Sequence, residues 1–199
     1  MKRAVENLVI FKIKTVMKYA YLMNYVPVSA EKKYGYRATT SEISDRQAVW
    51  NFKDGICSSR ILNAFADRIK SMATSNSVVC FVPASTSAKT AARYGELSRK
   101  LQAMTGVPCS YTAIRKTVDG ESGHIAGKSA NPAAEFSFDP SFFKGKNVIL
   151  IDDVVTRGTT LVGTGERLLS LGAGDVFGLV VAKTVNPAFD SSYQARHSA

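Results

Sequence analysis

Val148–Thr160 reads VILIDDVVTRGTT. Four apolar residues run straight into two adjacent carboxylates, Asp152 and Asp153, followed by a turn of small and hydroxyl residues. Like charges side by side at the edge of a core repel each other and gain nothing from burial. They call for hydroxyl donors or a cation. A ribose cis-diol supplies two such donors, and a nearby magnesium ion lowers the cost of the charge. The turn Thr156, Arg157, Gly158, Thr159, Thr160 then runs into a helix start. Backbone N–H groups there, with the positive end of the helix dipole, form an anion cradle. Diol-binding carboxylates directly before a phosphate-binding turn suit a ribose 5-phosphate. Neutralising either aspartate is expected to weaken that ligand and to leave folding stability unchanged or raised. The chain has no GxxxxGK[ST] and no GxGxxG, which excludes a Walker loop and the usual dinucleotide fingerprint.

The elements that position these residues follow from hydrophobic period. SSRILNAFADRIKSM reads as a helix capped at Ser58 or Ser59, with Ile61, Leu62, Phe65 and Ile69 at helical spacing. SVVCFVP reads as a buried strand ended by Pro83. AKTAARYGELSRKLQAMTG reads as a helix closed by Gly106, and PCSYTAI as a short strand. NVILI is the next buried strand, TTLVGTGERLLSLG a helix with Gly165 allowing close approach to the sheet, and DVFGLVVAKTV a further strand. Alternating strands and helices imply an α/β fold with a largely parallel sheet flanked by helices. Ligands of such sheets bind beyond the carboxyl ends of the strands. The residues after CFV and after ILI should therefore share one rim. Between Arg115 and Gly145 little periodicity is visible, and a structureless stretch of that length in a compact domain is expected to be functional or misread.

Charge is uneven. The net charge is +10, and residues 1–40 hold eight basic residues against Glu6 and Glu31, giving +6 of that total. With Tyr19, Tyr21, Tyr25, Tyr34 and Tyr36 this arm suits an anionic partner, including single-stranded nucleic acid. Cys57, Cys80 and Cys109 are odd in number and lack CxxC spacing, so a reduced, cytoplasmic protein is expected. Lys12, Lys14 and Lys18 interrupt the most apolar N-terminal stretch, so no membrane partner is expected.

Val148–Thr160 resembles the motif with which type I phosphoribosyltransferases bind phosphoribosyl pyrophosphate (PRPP). Within that superfamily the chain is most similar to the ComF-like branch over roughly Trp50–Val185: WNFKDG, VPASTSAKTAARYGEL, and Arg115, Thr117, Asn131 and Phe136 follow in matching order. It departs where Gly120 and Gly123 replace the usual Gln and Leu, and where the N-terminal cysteine module is lacking, so zinc is not expected. The resemblance implies a Rossmann-like domain over 50–186, a basic Tyr-rich extension or hood over 1–49 and a tail over 187–199. It implies that Asp152 and Asp153 hold the ribose hydroxyls, that Thr156–Thr160 hold the 5-phosphate, and that Mg²⁺ accompanies PRPP without direct protein ligation.

It further implies that the loop Ala84, Ser85, Thr86, Ser87 offers backbone N–H groups to pyrophosphate, with Lys89 and Arg93 adding charge. A loop within Arg115–Gly145 would close over PRPP and shield an oxocarbenium-like transition state from water, Arg115 and Lys116 supplying cationic donors to the leaving group. His124 is a candidate acid or base, and Lys128 adds charge to the same loop. The expected reaction transfers phosphoribose to an unspecified base, with loss of pyrophosphate. The alternative is a non-catalytic, PRPP-binding regulator associated with DNA uptake. A homodimer is compatible with the superfamily.

Overall fold

The computed structural model describes residues 11–13, 17–117, 132–187 and 190. Strands β1 (Phe11–Ile13), β2 (Met17–Tyr25), β3 (Ser77–Phe81), β4 (Cys109–Ser110), β7 (Asn147–Val155) and β8 (Asp175–Thr184) form one sheet in the order β1-β2-β8-β7-β3-β4. Every pairing is parallel except β1 with β2. Two further strands, β5 (Ile114–Lys116) and β6 (Phe136–Phe138), make a separate antiparallel pair. The helices are α1 (Val28–Tyr34), α2 (Thr40–Lys53), α3 (Ser59–Met72), α4 (Ser87–Thr105), α5 (Pro140–Phe143) and α6 (Thr159–Ser170).

Local signals explain most of these elements. Ser58 Oγ accepts from the Ile61 N–H at 3.3 Å and starts α3, whose Ile61, Phe65 and Ile69 are buried. α4 ends where Gly106 turns left-handed at φ 74°. Thr39 and Glu42 form a reciprocal capping box that starts α2. All five residues of β3 are buried, as a strand covered on both faces requires.

The sheet separates two apolar layers. On one face Ile149 and Ile151 of β7 pack in a layer with Phe52 of α2, Phe65 of α3, and Tyr94 and Leu101 of α4. On the other, Val148 and Leu150 share a layer with Leu161 and Leu168 of α6, Phe143 of α5 and Ile114 of β5. Alternation along one strand thus serves two cores. At Gly165 an added Cβ would collide with the Met17 sulfur and lie 3.5 Å from Val176, so α6 rides directly on the sheet. Gly165→Val should push that helix outward and cost about 1–3 kcal/mol. Urea unfolding should show a lower midpoint at unchanged slope.

Residues 1–49, expected as an extension or hood, contribute to the main sheet and its core: β2 pairs with β8 along its length, burying Met17, Tyr19, Ala20 and Met23, and Val49 of α2 is fully buried. Arg46 ties these parts together by donating to the Val26 carbonyl at 2.9 Å and pairing with Glu31. The PCSYTAI segment is divided between β4 and β5. Part of the aperiodic stretch after Arg115 is ordered as β5, β6 and α5; residues 118–131, with His124 and Lys128, lie outside the described residues.

Candidate phosphoribosyl site

Phe81 pairs with Ile151, and the Val82 N–H donates to the Ile151 carbonyl at 2.9 Å. The loop after β3 and the two aspartates therefore lie side by side on one rim. β7 does not stop at the aspartates. It continues alone past β3 and stays paired with β8 as far as Val155 opposite Lys183. Asp152 and Asp153 thus occupy a part of the strand held from one side only.

Their environments differ. Asp152 is buried, and its Oδ1 accepts from the Asp153 N–H at 2.8 Å. Burial, then the neighbouring Asp153 carboxylate, pushes the Asp152 carboxyl well above the usual carboxylate range, against the pull of Arg93 and Lys53. Asp153 accepts from the Val154 N–H through Oδ1 and from Arg93 Nη1 through Oδ2, each at 2.5 Å. Arg93, expected with the pyrophosphate loop, is thus joined to a ribose-type carboxylate 60 residues away in the chain. Tyr94 lies beside it, fully buried, and its hydroxyl meets no well-formed hydrogen-bond partner among the described residues.

The turn after the aspartates takes the shape an anion cradle needs. Gly158 has φ 77° and ψ 2°, a left-handed conformation, and α6 begins at the next residue with no side-chain cap. First-turn N–H groups at such an end have no intrahelical partner. Thr156 and Arg157 are exposed, and Thr156 Oγ1 lies 2.9 Å from Thr184 Oγ1 at the end of β8. Thr159 is exposed and Thr160 half-buried.

The loop after β3 is internally braced. The Ala84 N–H donates to Thr90 Oγ1 at 3.0 Å, and that hydroxyl donates to the Thr86 carbonyl at 2.9 Å. Thr86 Oγ1 accepts from the Lys89 N–H at 3.1 Å, so Thr86 caps α4. Ser85, Ser87 and Lys89 are exposed. Alternation along β5 separates Arg115 from Lys116. Arg115 Nε donates to the Thr112 carbonyl at 2.9 Å and lines a groove with Ser137 and Asp139. Lys116, its side chain only 5% exposed, donates to the Ser85 carbonyl at 3.1 Å and lies 3.7 Å from Glu135. In a trans peptide C=O and N–H point opposite ways, so Lys116 aims the Thr86 N–H away from itself.

Sequence reasoning gave no role to Lys53, Tyr94, Thr90 or Thr184. The hydroxyl at Thr90, four residues after Thr86 on the helix, is the one signal that pointed to any of them. Among the described residues no helix is long and apolar enough to cross a membrane.

A mostly parallel sheet carrying paired carboxylates and an uncapped helix start on one rim defines a domain of the type I phosphoribosyltransferase class. Residues 63–189, well over half of the chain, match the family model described as the phosphoribosyl transferase domain, and the chain belongs to that family. No curated protein matches the chain significantly. Similar solved structures include an allosteric regulatory enzyme of purine biosynthesis, at 23% identity and TM-score 0.40, covering 67% of this chain and 25% of that one. The chain thus spans a quarter of that enzyme's length. An adenine phosphoribosyltransferase shows 17% identity and TM-score 0.41, covering 70% and 74%. Adenine phosphoribosyltransferase from Leishmania tarentolae shows 16% identity and TM-score 0.42, covering 96% and 88%.

Proposed function

We propose that the protein transfers the phosphoribosyl group of PRPP to a nitrogen nucleophile, in the cytoplasm, with release of pyrophosphate. The bond from ribose C1 to the diphosphate oxygen breaks, a C1–N bond forms with inversion, and the acceptor gives up a proton. One observation carries the reading: two carboxylates stand directly before an uncapped, glycine-led helix start, beside the loop after β3. Asp152 and Asp153 orient the ribose hydroxyls. Thr156, Gly158, Thr159 and Thr160 hold the 5-phosphate, with Arg157 at the open side. Ser85, Thr86 and Ser87, with Lys89, receive the diphosphate.

Magnesium fits this donor set as an ion carried by PRPP. The two aspartates are hard oxygen donors of the kind magnesium takes. When bound, such an ion neutralises charge on the leaving diphosphate. The affiliation with the ComF-like branch is part of the same proposal, supported by the order of matching segments from Trp50 to Val185.

Incubation with PRPP, magnesium and a panel of purine and pyrimidine bases should release pyrophosphate with one class of acceptor. PRPP binding without release for any base would overturn the transferase reading in favour of a non-catalytic binding protein. Lys116 offers a local check. Lys116→Met keeps the stem but frees the Ser85–Thr86 peptide, and pyrophosphate affinity in calorimetry should fall about fivefold, the worth of ~1 kcal/mol.

A further inference from the structure

The Arg93 side chain is anchored at two points. Nη1 reaches Asp153 Oδ2 at 2.5 Å, and Nε donates to the Lys53 carbonyl at the end of α2 at 3.1 Å. A planar guanidinium held at two corners has one orientation, unlike a lysine ammonium. Both partners are largely shielded, with side chains 11% and 16% exposed. Asp153 is held at both oxygens, by Arg93 on one and by the Val154 N–H on the other. A surface ion pair would leave each side chain free to rotate; this pair locks a single carboxylate rotamer at the rim. The floor beneath is rigid as well. The Arg93 guanidinium lies 5.7 Å from the ring centroid of Tyr94, whose ring packs on Phe81 at 4.8 Å between centroids.

We propose that Arg93 is a positioning residue, which presents Asp153 to the ribose hydroxyls and does not itself bind the diphosphate. The inference rests on reading this rim as a PRPP site. α2 takes part through the Lys53 carbonyl, so a segment outside the phosphate-binding motif sets the geometry of the sugar-binding carboxylate. Arg93 also supplies the positive charge that makes two adjacent carboxylates tolerable before any ligand arrives.

Two probes separate orientation of the sugar from contact with the diphosphate: ribose 5-phosphate, which lacks the diphosphate, and inorganic pyrophosphate, which lacks the sugar. Calorimetry on Arg93→Met should show ribose 5-phosphate and PRPP weakened by the same factor, about tenfold for one oriented charge-assisted hydrogen bond. Inorganic pyrophosphate should bind as to the wild type. Arg93→Lys, which keeps the charge and loses the fork, should regain part of the ribose 5-phosphate affinity. Weakened pyrophosphate binding with unchanged ribose 5-phosphate binding would overturn the proposal, as would a folded Arg93→Met with wild-type affinity for all three. Should Arg93→Met fail to unfold cooperatively in urea, Arg93→Lys carries the same comparison of probes. Wild-type protein that binds no ribose 5-phosphate refutes the site reading itself, before any variant is made.

Discussion

Gly158→Val should abolish binding of both PRPP and ribose 5-phosphate while the protein stays folded. Gly158 sits at φ 77°, where a Cβ meets the backbone and a β-branched residue fits worst. Valine will pull the turn toward an extended or right-handed conformation. The N–H groups at the start of α6 then no longer converge on one point. The cost to stability is about 1–3 kcal/mol, the usual size of strain at one such residue. It stays modest because the turn lies at the rim, outside both apolar layers. Thr160→Val, which keeps every backbone donor, should lose only about 1–2 kcal/mol of binding. Ribose 5-phosphate calorimetry beside urea unfolding reads both variants. A folded Gly158→Val with wild-type affinity would remove the phosphate cradle from the protein and the transferase reading with it.

Asp152→Asn should be more stable than the wild type at neutral pH, and weaker in PRPP binding. The Asp152 carboxyl titrates well above its ordinary 3.8, chiefly because it is buried and next because Asp153 is adjacent. Between the unfolded and folded pKa values the native state therefore binds more protons than the unfolded chain. Its contribution to stability is complete below about pH 3.8 and is lost as pH rises through the folded pKa. Each unit of that rise corresponds to about 1.4 kcal/mol. Asparagine removes the slope, so the gap between variant and wild type should widen with increasing pH. Urea unfolding across a pH series measures it; a gap that narrows toward neutral pH would contradict the assignment. Asp153→Asn should instead destabilise by about 3 kcal/mol, because it leaves the shielded Arg93 cation without its partner. The sequence reading treats the two aspartates alike in stability, and the ion pair separates them.

Much of the architecture was legible in local patterns. β3, β7 and β8 declared themselves as continuous apolar runs, α3 by helical spacing after a serine cap, and α4 and α6 by glycines just past their ends. The aspartates and the phosphate turn are contiguous from Asp152 to Thr160, so their relation needs only a strand, a turn and a helix start in that order. Parallel topology then placed the loop after β3 beside them without any knowledge of contacts.

What stayed hidden involves residues brought together from distant parts of the chain. β2 lacked a clear signature because Ala20 and Leu22 place apolar residues between Tyr19, Tyr21 and Met23, which blurs the contrast between its two faces; its identity comes from pairing with β8, on the far side of the sequence. Arg115 and Lys116 read as one cationic pair, yet a strand sends neighbours to opposite sides, and only Lys116 reaches the loop after β3. Arg93 lies nearly two helical turns past a phosphate-type loop, and its charge alone pointed to the diphosphate. Its guanidinium meets Asp153 and the Lys53 carbonyl, partners supplied by two other elements. A contiguous motif encodes its own geometry through backbone preferences of a few residues. The orientation of a side chain shared by three elements depends on how those elements pack, and no local preference specifies that.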